Sequence, residues 1–136
     1  MFFKKNKNNF DDLSKVAALL IHAAKIDENY SIKEEKIIKQ SLLELSSGNE
    51  NIEEIILNGK KIEQNSNQIL DFTKEVKSMK EQDKIKIIET LWRIIYSNNE
   101  ADMYETNLMR RLTGLLYIDN KLMGDIKEKI KKEFSQ

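Results

Sequence analysis

The sequence contains no cysteine, no proline and only four glycines in 136 residues. Without cysteine there is no disulfide, no thiolate metal site and no cysteine nucleophile, which fits a cytosolic chain. Without proline and with little glycine, tight hairpins lose their usual residues, whereas long helices joined by short loops need neither. No stretch approaches the roughly 18 consecutive apolar residues that a membrane-spanning helix needs. Charge of one sign is also missing: 23 Lys and Arg balance 23 Asp and Glu. A nucleic-acid binder needs a basic surplus on one face to neutralise phosphates, so that class is not expected. What remains is 40% hydrophobic and 34% charged, a mix that fits one globular domain with a real core.

The opening "MFFKKNKNNF" pairs Phe2 and Phe3 with three lysines. It is too short and too broken for the apolar core of a signal peptide. It reads either as a frayed end or as a contact for a membrane surface or a partner. The expected division is a flexible tail over residues 1–9 and a helical domain over 10–136.

Helical periodicity dominates the rest. Leu13, Val16, Ala17, Leu20 and Ala24 give residues 10–26 one apolar face. Ser31 and Glu34 have capping-box spacing and open a helix to about residue 46 through Ile37, Ile38 and Leu42, with Gly48 as its stop. A third helix is expected over 50–64 and a shorter fourth over 67–77. A fifth, 79–97, carries Ile85, Ile88, Leu91, Trp92 and Ile95, with Ser78 and Glu81 as its expected capping box. Asp102 and Glu105 repeat that spacing before a sixth helix through Leu108, Leu112, Leu115 and Leu116. The seventh, 120–134, places Leu122, Ile126, Ile130 and Phe134 four residues apart. No stretch alternates as a strand, so the expected class is all-α with seven helices.

Two halves of the chain match. "AALLIHAAKIDENYSIKEEKIIKQSLLEL" lies on "IETLWRIIYSNNEADMYETNLMRRLTGLL", with Asp27 on Asn98, Ser31 on Asp102 and Glu34 on Glu105. The period of about 71 residues is too long for a solenoid. It implies an internal pseudo-repeat of two helical pairs, whose symmetry would bring the two polar loops together.

The second half, "LWRIIYSNNEADMYETNLMRRLTGLLYI", resembles the TerB-like, tellurite-resistance family. Leu91, Trp92, Tyr96, Tyr104, Glu105, Arg110, Arg111, Leu115 and Leu116 stand in that family's places. In the first half Asp27 holds the aspartate place, Tyr30 the apolar place and Glu34 the glutamate place. The resemblance runs from about residue 10 to 130. It implies an all-helical domain of about seven helices and an acidic surface that binds divalent cations. It also implies a role in stress-response systems, alone or as in DnaJ-like co-chaperones, with a TerC-type membrane protein as partner. The implied location is cytoplasmic, peripheral to the inner membrane face. The chain departs from the family at its Asp-Gly pairs, which become Asp27-Glu28 and Asn98-Asn99. Asn98 lacks the anionic oxygen a hard cation prefers, so a site built on it should be weaker.

Asp27, Glu34, Asn98 and Glu105 are accordingly the candidate ligands for calcium or magnesium. The competing reading is structural: Glu34 and Glu105 sit where capping boxes need them, and Asp27 and Asn98 sit at helix ends. Neither loop has the EF-hand pattern. His22, the one histidine, reads as a satisfied or half-exposed helix residue, Trp92 as core, Arg110 and Arg111 as exposed ion-pair formers, and "KEKIKKEFSQ" as a solvated face. There is no Gly-x-Ser-x-Gly and no phosphate-cradling glycine loop. The expectation is a non-enzymatic binding or adaptor module, with a co-chaperone-like interaction domain lacking any metal role as the alternative. An enzyme using Asp27, Glu34 and Glu105 as acid and base groups stands third.

Overall fold

The computed structural model describes residues 9–26, 31–46, 48, 51–66, 69–97 and 103–135. These form seven α-helices and no strand: α1 (Phe10–Ala24), α2 (Ile32–Leu45), α3 (Ile52–Gln64), α4 (Leu70–Lys77), α5 (Glu81–Tyr96), α6 (Met103–Leu115) and α7 (Asn120–Phe134). The all-α reading therefore holds among the described residues. Of the expected tail, residues 1–8 lie outside them, and Asn9 is the N-cap of α1.

α1 is the centre of the molecule. The sequence predicts one apolar face, but Ala18, Leu19, Ile21 and Ala23 are buried as well. A helix buried all round must be surrounded, and α1 packs against α2, α3, α4 and α5. α5 is the second core helix. It buries Ile87, Ile88, Leu91, Trp92, Ile94, Ile95 and Tyr96 and packs against α1, α2 and α7. The two core helices are thus the first members of the two matching pairs. Trp92 is core as expected; its Nε1 donates to Met123 Sδ of α7 at 3.4 Å and its ring stacks on Tyr96.

The helix starts follow capping chemistry where a side-chain acceptor is available. Asn9 and Asp12 form a capping box on α1, and Ser31 and Glu34 form the expected one on α2. Asn51 and Asp119 accept from Glu54 N and Leu122 N at the starts of α3 and α7. The expected box at Ser78 and Glu81 does not form. Ser78 ends α4, its hydroxyl donating to Glu75 O at 3.1 Å, and the N-cap of α5 is Lys80 without a side-chain bond. α4 runs to Lys77, so Ser78 is spent on its C-terminus. The Asp102 cap expected for α6 lies outside the described residues. Gly48 takes φ +94°, a left-handed turn two residues beyond Ser46, the C-cap of α2. Phe134, the last of the four-residue row, is 45% exposed, and the buried residues of α7 are Met123, Ile126 and Ile130.

Candidate functional site

The two helical pairs, α1–α2 and α5–α6, meet across their ends. Lys33, in the first turn of α2, donates from Nζ to Ser97 O at the C-terminal end of α5, at 2.9 Å. A cation on the exposed carbonyls of a helix C-terminus is favourable electrostatically. In the other direction, Tyr104, Asn107, Leu108 and Arg111 of α6 share a cleft with His22 and Ile26 at the end of α1. The start of the second helix in each pair thus adjoins the end of the first helix in the other.

Glu34 and Glu105 occupy matching places in the first turns of α2 and α6. Glu34 is fully buried and Glu105 is 3% exposed. Carboxylates are rarely buried without partners, and a helix N-terminus stabilises them through its free N–H groups and dipole. Glu34 Oε1 accepts from Ser31 N at 2.8 Å and from Ser31 Oγ at 3.2 Å. Glu105 is likewise engaged. Asp27 and Asn98 lie outside the described residues. Among the described residues, no three His, Asp or Glu side chains gather into a group that could hold a metal.

His22, expected to be a satisfied or half-exposed helix residue, lies partly exposed in α1 with its Nδ1 3.3 Å from Glu63 Oε2. Glu63 Oε1 also accepts from Lys25 Nζ at 2.7 Å. Burial alone would push the Glu63 carboxyl up, but the donors Lys25 and His22 outweigh it and hold it below the usual range. The pairing spans 41 residues from α1 to α3, so no local spacing announces it. Arg110 bonds to Asn107 Oδ1 at 3.0 Å rather than to an acid.

A second cleft, of about 550 Å³, lies between α2, α5 and α7. On its floor Thr90 and Ser41 share a buried hydroxyl contact at 2.8 Å. Lys86 pairs with Glu44, Lys129 with Glu89 at 2.7 Å, and Arg93 with Glu133 through two 3.0 Å bonds. These pairs tie α5 to α2 and α7. The cleft's cations, Lys36 excepted, are already answered by carboxylates. No helix of the described residues is long and apolar enough to cross a membrane.

The architecture defines an all-α domain in which two related helical pairs meet end to end, each second helix opening on a buried glutamate. The sequence matches the family model of the tellurite resistance protein TerB over residues 13–128, and the chain belongs to that family. Comparison with curated proteins and with solved structures gives no match.

Proposed function

We propose that the protein is a non-enzymatic binding and adaptor module in a stress-response system of the tellurite or metal resistance type. In this reading Asp27, Glu34, Asn98 and Glu105 hold a divalent cation, calcium or magnesium, and the cation tunes contact with a protein partner. A TerC-type membrane protein at the inner membrane face is the partner that the family resemblance offers. The observation that carries the reading is the pair of buried glutamates at matching places of the repeat, each in the first turn of a helix whose start adjoins the end of the other pair's first helix. Hard cations favour carboxylate oxygens gathered from more than one loop.

A second reading is favoured by one observation: Glu34 Oε1 already serves Ser31. Glu34 and Glu105 would then only start their helices, and the domain would be a co-chaperone-like interaction module without a metal role. A backbone-amide NMR titration with calcium, magnesium and zinc separates the two. Saturable shifts confined to residues 27–34 and 98–105, abolished by Asp27→Ala, support the cation. The absence of local shifts at millimolar metal removes it and leaves the interaction module.

A further inference from the structure

The cleft between the end of α1 and α6 has a volume of about 520 Å³, within the range of small-molecule sites. Its floor is apolar: Leu108 is buried and Ile26 half-buried against the core. Its polar groups are of one kind. The Arg111 guanidinium, five N–H donors in a planar fork, has no hydrogen-bond or ion-pair partner among the described residues. Asn107 gives its Oδ1 to Arg110, which leaves its NH2 group as the free end. Tyr104, 72% exposed, brings a hydroxyl on an aromatic ring. No carboxylate lines the cleft among the described residues. The other cleft contrasts with it, since Glu44 and Glu89 lie among its lining cations.

His22 supplies the remaining wall. Its Nδ1 faces Glu63, and an ionised carboxylate only accepts hydrogen bonds. Nδ1 therefore carries a proton, and Nε2 is the nitrogen left for the cleft. Among the described residues the groups around the ring are Glu63 of α3, Lys25 at the C-cap of α1, the uncharged Phe72 ring of α4, and Tyr104 and Arg111 across the cleft.

We propose that this cleft binds a small organic anion, an oxyanion head on an apolar or ring-shaped body. Arg111 anchors the head, and Leu108 and Ile26 receive the body. The volume exceeds what a bare oxyanion fills, and the apolar floor has nothing to offer one. The site uses none of the four candidate cation ligands, so it stands or falls apart from the cation reading.

The test is an amide NMR titration of the full chain with phenyl phosphate, benzoate and inorganic phosphate at pH 7.5. Phenyl phosphate or benzoate should give saturable shifts at residues 22–26 and 104–111, with inorganic phosphate clearly weaker. Arg111→Gln should weaken binding of the stronger organic probe by about tenfold or more, as loss of a charged hydrogen-bonding group does. Asn107→Asp, which sets a like charge beside the head, should weaken it too. Lys36→Gln in the other cleft should change nothing. No saturable shift with either organic probe overturns the proposal. So does inorganic phosphate binding as tightly as phenyl phosphate, or an affinity that Arg111→Gln leaves intact.

Discussion

Gly59 of α3 faces α1, and the space where a Cβ would stand is already taken. A Cβ there would lie 2.7 Å from Ala17 Cβ and 3.1 Å from both Ser14 O and Ala18 N. Two of those three atoms are backbone of a helix buried on all sides, so the neighbour cannot swing away. Gly59→Ala must therefore push α3 off α1. The helix-propensity gain of alanine, about 1 kcal/mol, works against the overpacking penalty of about 1–3 kcal/mol. The closeness of the backbone contacts puts the outcome on the destabilising side, and a lower urea midpoint checks it. Ser14 in the same contact shows the opposite case. Its hydroxyl is fully buried and has no hydrogen-bond partner among the described residues. Ser14→Ala removes an unsatisfied polar atom and should raise stability by about 1 kcal/mol. A lower midpoint for that variant would mean that the hydroxyl has a partner in solution.

At the scale of elements, the end of α6 illustrates how a helix is stopped without glycine. Tyr117 takes φ 57° in the left-handed region that glycine usually fills. Ile118 N then donates back to Thr113 O at 3.0 Å, closing the last turn. Lys84 of α5, 8% exposed, donates from Nζ to Leu116 O at 3.1 Å and so meets the negative end of α6. Lys84→Met keeps the apolar stem and removes the donor. It should destabilise the protein by about 1–2 kcal/mol, with faster exchange of the Tyr117 and Ile118 amides; unchanged exchange would count against this role. Elements of this kind set the limit of what the sequence shows. The range of α7 and the Ser31–Glu34 box were legible because they depend on residues three or four apart. The Ser78–Glu81 spacing misled because two helices compete for Ser78 and spacing does not say which one wins. The buried places of Glu34 and Glu105 were marked by the repeat. The contact of His22 with Glu63, and the cleft beside it, join α1 to α3 and α6 and leave no trace in local pattern.

The whole molecule is held partly by charge at its helix crossings, and this makes its stability depend on pH. Glu44 joins α2 to α5 through Lys86, Glu63 joins α3 to α1 through Lys25 and His22, and Glu133 joins α7 to α5 through Arg93. All three carboxyls lie below the usual range. Hydrogen bonds from Gln40 and then Lys86 lower Glu44; for Glu63 the upward push of burial is outweighed by Lys25 and His22; and Arg93 lowers Glu133. An acid whose folded value is depressed binds fewer protons folded than unfolded. Its contribution is complete above the unfolded value of about 4.3 and is lost as pH falls through the lower folded value. The urea midpoint should therefore drop as the pH goes below about 4.3. The combined variant Glu44→Gln, Glu63→Gln, Glu133→Gln should start lower at pH 7, fall less steeply and approach wild type in acid. Because Glu44 and Glu133 are partly exposed, added salt should narrow the gap at pH 7. Parallel pH curves for the two proteins would place the acid sensitivity outside these three pairs.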